Sequence, residues 1–273
     1  MTTPRRDHAP RRRSVARDAA VFCALLVLVV VTKAPVLGTL YYWDETLWIG
    51  FAETLSALPL WRVLPGLHEP FLFGNRLPGI FLPMAAVFQL TGPSIVVSHA
   101  FVLCFAFAGV WFTYCLASLW FGRVAGVLAA VFLFLSPLYF AQSAMFLADL
   151  PAAAVAVAAV YFGVQRRFGL YSASACYLVL LKEPVVGVVC AVAAWAFLTR
   201  VRTSFPAAVA DAARYAVPVA FVTLYYLWQW LATGHAFVHY SWGFKPFAPS
   251  LDAALAQLPR VHRWLLVEQG RWA

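Results

Sequence analysis

Apolar residues in this chain come in unbroken runs rather than in alternation, and the runs are long. The first, Ala19 to Leu40, is followed by apolar stretches at about 94–119, 124–142, 150–164, 169–182, 184–199 and 213–233. Runs of this kind, rich in Ala, Val, Leu and Phe and without a period of two, predict helices that cross a bilayer and not barrel strands. Between the first run and the second lies a polar-flecked stretch, 42–93, that does not read as a span. Within it, Trp48, Phe51, Ala52, Leu55 and Leu58 recur at helical spacing, with Glu45, Glu53 and Ser56 elsewhere on the wheel. This predicts an amphipathic surface helix from Glu45 to Leu58. Residues 61–77 hold Pro65, Gly66, Pro70, Gly74 and Asn75 and read as loop. Pro78 to Leu90 is apolar, but at about 1.5 Å per residue it is too short for some 30 Å of hydrocarbon.

Whether 78–90 crosses decides the topology, and basic residues arbitrate. If it stays at the surface, Arg123, Arg166-Arg167 and Arg200-Val201-Arg202 fall on the side of the Arg-rich N-terminus. The positive-inside rule then gives seven spans and an N-terminus in the cytoplasm; the expected location is a prokaryotic cytoplasmic membrane. The expected fold is all-α and polytopic: a basic tail at 1–18, a transmembrane module at 19–240 with surface helices in its first extracytoplasmic loop, and an extracytoplasmic tail at 241–273. Lys33, near the outer end of the first span, is expected to snorkel to the interface.

Composition agrees. Of 273 residues 63% are hydrophobic and 11% charged, against roughly 25% charged in soluble domains, and the mean hydropathy is +0.79. The net charge of +9 does not point to nucleic acid, because the basic residues gather in the tail and short loops as a topology signal, with the tail at 1–18 expected to lie against anionic lipid headgroups. Five cysteines lie inside apolar runs without metal-ligand spacing and read as small buried hydrophobes.

The ionisable residues assigned to the outer face are few: Asp44, Glu45, His68, Glu69, Arg76, Asp149, Lys182 and Glu183, with the C-terminal tail. Asp44 is open to two readings. It is the N-cap of the helix starting at Glu45, or a general base, partly desolvated by Tyr41, Tyr42 and Trp43, that takes a proton from a hydroxyl. Asp149, two residues before Pro151, either caps the fourth span or faces Asp44 and orients an acceptor or a cation. Arg76 is a snorkelling cation or a phosphate ligand. Lys182, between two apolar runs, suits a phosphate ligand or a partner of Glu183 or Asp149, since an unpaired charge at mid-bilayer costs about 2.5–3.5 kcal/mol. His68, His235 and His239 lack ligand spacing and read as surface residues.

An acidic pair after the first span, a loop with surface helices and an Asp-x-Pro heading the fourth span together resemble the GT-C superfamily of membrane glycosyltransferases, most closely the protein mannosyltransferase and aminoarabinose transferase type. Asp44-Glu45 resembles the family's Asp-Glu motif, whose Asp is the catalytic base. Gly74-Asn75-Arg76-Leu77-Pro78 is similar to its Lys-Pro-Pro segment, with Arg76 in the Lys position and Leu77 in place of a Pro. Asp149-Leu150-Pro151 resembles its second acidic motif. Lys182 stands where a Thr-Lys pair approaches the donor phosphate, with Leu181 replacing the Thr. His239-Tyr240 resembles a His-Tyr that carries a metal ligand, although Asn75 stands where the acidic metal partner is expected.

The resemblance implies an inverting transferase that moves a sugar from a polyprenyl-phosphate donor to a lipid, glycan or protein acceptor. Asp44 and Asp149 would be its catalytic residues, with Glu45, Glu69, Arg76 and Lys182 binding substrate. No cofactor is required by it, and a divalent metal at His239 is admitted. It covers the N-terminal seven-span module of the family, so a partner chain, or further chain, is expected to supply additional spans. A transporter or lipid flippase, or a non-catalytic subunit of the same fold, is the alternative; internal repeats and helices broken at mid-depth, the usual marks of a transporter, are not evident.

Overall fold

A computed structural model describes residues 15–42, 44–64, 67 and 77–233. Arg76, Glu69, His68, His235, His239 and the whole 241–273 tail lie outside the described residues, as does most of the basic N-terminal tail. Eleven α-helices run in the order α1 (Val15–Lys33), α2 (Glu45–Ser56), α3 (Phe81–Thr91), α4 (Ile95–Phe121), α5 (Arg123–Leu135), α6 (Pro137–Gln142), α7 (Asp149–Val164), α8 (Phe168–Leu181), α9 (Val186–Arg200), α10 (Phe205–Tyr215) and α11 (Val217–Thr233), and no strand occurs among the described residues.

The described residues are all-helical, and among them three stretches are long and apolar enough to cross a membrane: Val15–Val36, Ile95–Phe121 and Glu183–Arg200. α10 and α11, bent by 47° at their junction, make a fourth if counted as one. The predicted runs at 124–142, 150–164 and 169–182 are shorter helices, and the first is broken. α5 ends at Leu135 because Pro137 holds Ser136 extended (φ −61°, ψ 133°) before α6 begins. The junction of α10 and α11 likewise lies at Ala216, two residues before Pro218. α10 had no counterpart among the predicted elements.

Contacts fix how the helices alternate. α4 and α7 run side by side in the same direction: Phe101 meets Phe146 near their starts and Phe112 meets Phe162 near their ends. α5 folds back on α4, where Gly122 turns the chain with φ +89°, a conformation other residues rarely adopt. α8 returns beside α7, α9 leaves again, and α11 returns along α8. One end of the bundle therefore carries the starts of α4 and α7 and the close of α8; the other carries Arg123, Arg166 and Arg200.

The core is built for close approach. Gly109 on α4 meets Ala154 on α7, and a Cβ on Gly109 would lie 3.1 Å from the Ala154 Cβ; Ala106, Val110 and Ala152 belong to the same buried core. Small residues at helix crossings let backbones approach, which drives association where lipid is as apolar as the side chains. A second cluster, Ala159, Tyr171, Ala175, Val189 and Val222, joins α7, α8, α9 and α11. Two tyrosines close it: Tyr215 donates to the Gly163 carbonyl at 2.7 Å and Tyr171 to the Tyr215 carbonyl at 2.9 Å.

α1 packs through a narrow stripe, Leu25, Val29 and Lys33, while Val27, Val30 and Val31 point outward. Lys33 therefore does not snorkel. It is buried, donates to the Phe140 carbonyl and lies 3.3 Å from the centroid of the Phe140 ring. The break that frees the end of α6 provides the acceptor, so an ammonium that would otherwise seek water finds a partner inside. The cysteines also differ from expectation: all five are free, and Cys23, Cys104 and Cys190 lie exposed on outward helix faces, with only Cys115 buried.

Candidate functional site

α2 forms where its pattern predicts, but its buried face is Glu45, Ile49, Ala52 and Leu55. Glu45 thus belongs to the packed side of the helix, not its polar side. α3 packs on α2 through Phe81, Met84, Ala85 and Phe88, and Gln89 Nε2 donates to the Leu58 carbonyl at 3.0 Å. The two helices form a surface layer over the ends of α1, α4 and α7.

Glu45 is what joins the layer to the bundle. Its Oε2 accepts from the Tyr42 backbone N–H at 2.8 Å. Its Oε1 contacts His99 Nε2 at 3.1 Å and accepts from the Phe146 N–H at 2.5 Å. Glu45 and His99 are each 1% exposed. Burial pushes the Glu45 carboxyl up, but the bonds from His99 and the two backbone N–H groups outweigh it and hold the carboxyl below its ordinary value. The other His99 nitrogen, Nδ1, lies 2.9 Å from the Leu37 carbonyl. Both ring nitrogens of His99 therefore face acceptors, a carbonyl on one side and a carboxylate on the other. Glu45, expected to bind substrate, is thus enclosed by these partners. His99, in the first turn of α4, escaped the sequence reading; a histidine and Ser98 opening an otherwise apolar run were the available signal.

Asp44, one residue earlier, is exposed. Its backbone carbonyl accepts from Leu47 and Trp48 at 3.1 Å each, while its side chain makes no capping hydrogen bond. The capping role is therefore taken by the backbone and the carboxylate faces solvent. Of the three aromatic residues expected to shield it, Trp43 lies outside the described residues. Tyr41 turns inward, its hydroxyl 3.0 Å from Ser98 Oγ and its ring edge-on to His99, and Tyr42 is exposed.

Asp149 occupies the first turn of α7, with Ala148 in the cap position. Its Oδ1 accepts from Lys182 Nζ, and both side chains remain accessible at 51% and 40%. Lys182 ends α8 in extended conformation (φ −160°, ψ 136°), which swings it away from the helix and toward α7. The next segment arrives from far away in sequence: the Gly79 N–H donates to the Leu180 carbonyl at 2.9 Å, and a Cβ on Gly79 would lie 2.4 Å from that oxygen. Only glycine admits the contact. The chain that follows Arg76 is thereby docked two residues from Lys182.

A chain of contacts thus brings Asp44-Glu45, Asp149, Lys182 and the segment after Arg76 to one end of the bundle. A shallow groove lined by Val15, Asp18, Ala19, Phe22, Cys23 and Trp111 runs along the opposite end of α1 and contains none of them. Among the described residues no three His, Cys, Asp or Glu side chains converge as metal ligands. His239, the metal ligand that the resemblance admits, lies outside the described residues.

No protein-family model matches this sequence, and no curated protein matches it.

Proposed function

We propose that the chain is a membrane-embedded inverting glycosyltransferase of GT-C type, acting on a polyprenyl-phosphate-linked sugar at the Glu45 end of the bundle. The observation that carries this reading is the bond from Phe146 N–H to Glu45. It ties the residue beside Asp44 to the turn three residues before Asp149, whose carboxylate in turn holds Lys182.

In this reading α1, α4, α5 with α6, α7, α8, α9 and α11 make seven passages, and α2 and α3 lie on the surface. Arg123, Arg166 and Arg200 share the end away from Glu45, which the positive-inside rule assigns to the cytoplasm. The site then opens on the extracytoplasmic side of a prokaryotic cytoplasmic membrane.

Glycosidases need an acid as well as a base because an alkoxide leaves poorly. A phosphate leaves without a proton, so one base and a cation suffice. The acceptor hydroxyl or amine gives its proton to the exposed Asp44 carboxylate as its heteroatom bonds C1 of the sugar. The C1–O bond to phosphate breaks on the opposite face, and its electron pair departs with the polyprenyl phosphate. Lys182 has three N–H donors and spends one on Asp149, leaving two for the phosphate. Arg76 and Glu69 would complete the substrate contacts, and Glu45 with His99 positions Asp44 without touching substrate.

Membranes containing the chain, supplied with radiolabelled polyprenyl-phosphate sugar, test the proposal. Label appearing on an acceptor supports it. Movement of the intact donor between leaflets without transfer supports the transporter or flippase reading instead.

A further inference from the structure

The strongest charged feature outside the candidate site lies at the other end of the bundle, where the α7–α8 and α9–α10 connections meet. Asp211 on α10 is buried, its side chain 4% exposed, and three guanidinium groups surround it. Arg200 Nε stands 3.0 Å from Oδ2, Arg166 Nη2 3.4 Å from Oδ2 and Arg214 Nη1 4.0 Å from Oδ1. Three positive charges against one negative leave a net charge of +2.

These contacts are ion pairs, and among the described residues the buried Asp211 Oδ2 makes no hydrogen bond. All three arginines remain solvent-accessible, at 42%, 39% and 63% of their side chains for Arg166, Arg200 and Arg214. Arg166 also has a left-handed backbone (φ 55°), a position just past a helix end that ordinarily favours glycine. A long cationic side chain is kept there against that preference.

The two helices that carry Arg200 and Arg214 also expose apolar side chains. Leu198, Phe205 and Val209 are exposed large hydrophobics on the end of α9 and along α10. α10 buries Ala208, Asp211 and Tyr215 and turns Phe205 and Val209 outward, so it has an apolar outer face as well as a packed inner one. Accessible guanidinium groups carrying a net positive charge, on helices that also present apolar side chains, match one ligand chemistry: a phosphate monoanion carried on acyl chains.

We infer that Arg166, Arg200 and Arg214, gathered by Asp211, form a binding site for the headgroup phosphate of an anionic phospholipid. The acyl chains lie against Leu198, Phe205 and Val209, and α10 rests along the membrane surface. Arginine is suited to this because its planar fork meets phosphate oxygens in pairs. The inference stands independently of any transferase activity.

The test uses the full chain in nanodiscs of phosphatidylcholine with or without one-fifth phosphatidylglycerol, with lipid retention read by native mass spectrometry after transfer to detergent. Wild type is expected to retain phosphatidylglycerol over phosphatidylcholine by at least five-fold. Arg214→Gln, the most exposed and least packed change, and Arg166→Gln/Arg200→Gln should each bring that preference down several-fold. The paired lysine variant Arg166→Lys/Arg200→Lys keeps the charge and should keep part of the preference, with melting in pure phosphatidylcholine as the folding control. Equal retention of both lipids by wild type, or an undiminished preference in a folded Gln variant, overturns the inference. Millimolar inorganic phosphate that displaces the lipid would assign the site to free phosphate and overturn it also.

Discussion

Glu45 Oε1 and the backbone N–H of Phe146 lie 2.5 Å apart although 101 residues separate them in the chain. That bond holds the surface layer of α2 and α3 against the bundle, and with His99 it makes Glu45 the hinge point of the candidate site. Replacing Glu45 with Ala would strand the Phe146 N–H and His99 in a buried place, at about 1–3 kcal/mol for each unsatisfied group. The expected outcome is a clear fall in the melting midpoint of the purified protein in detergent. His99→Ala should give a fall of similar size, and the double variant less than the sum, because the two residues share one interaction.

The same carboxylate predicts an acid sensitivity. The folded Glu45 binds its proton less readily than the unfolded chain, so its stabilisation is complete above the ordinary value of 4.5 and is lost as pH falls through the lower folded value. Melting midpoints should therefore drop on acidification below that point. Glu45→Gln should flatten this part of the profile, while starting from a lower midpoint at neutral pH.

Asp149 and Lys182 are both accessible, and exposed ion pairs contribute about 0–1 kcal/mol. Asp149→Asn and Lys182→Met should leave thermal stability within that margin. Transfer should fall by about 10²–10³ in Lys182→Met, the range seen when a preorganised charge stabiliser is removed. The charge-swapped pair Asp149→Lys/Lys182→Asp should restore the ion pair and not the transfer, which separates a chemical role from a structural one.

Gly79 admits no side chain, since a Cβ would meet the Leu180 carbonyl at 2.4 Å. Gly79→Ala should push the segment after Arg76 off α8, costing about 1–3 kcal/mol as overpacking does. Limited proteolysis across 65–76, together with the melting midpoint, measures it: faster cleavage than in wild type is expected.

Much of the fold was legible because apolar runs dictate helices. The runs at 94–119, 150–164 and 169–182 coincide closely with α4, α7 and α8, and the wheel of 45–58 gave α2. What a wheel cannot reveal is which distant donors wait on its far side. Glu45 looked like a polar-face residue because its partners, His99 and Phe146, lie 54 and 101 residues away. Lys33 looked like a snorkelling cation for the same reason, its acceptor being a carbonyl 107 residues on. The pairing of Lys182 with Asp149 was one of the readable alternatives, since both flank the same pair of helices. The break at Ser136 was also written in the sequence, in Pro137, but the apolar run around it concealed the interruption.

The proposed step is proton transfer from the acceptor to the exposed Asp44 carboxylate, set in place by Glu45 and His99. Its most direct test is transfer from radiolabelled polyprenyl-phosphate sugar by Asp44→Asn, an isosteric change that removes the base and leaves the Glu45 bracket intact. The prediction is a loss of about 10²–10⁴ in rate, typical for a general base, at wild-type abundance and melting midpoint. Asp44→Asn membranes that transfer sugar at the wild-type rate would contradict the account.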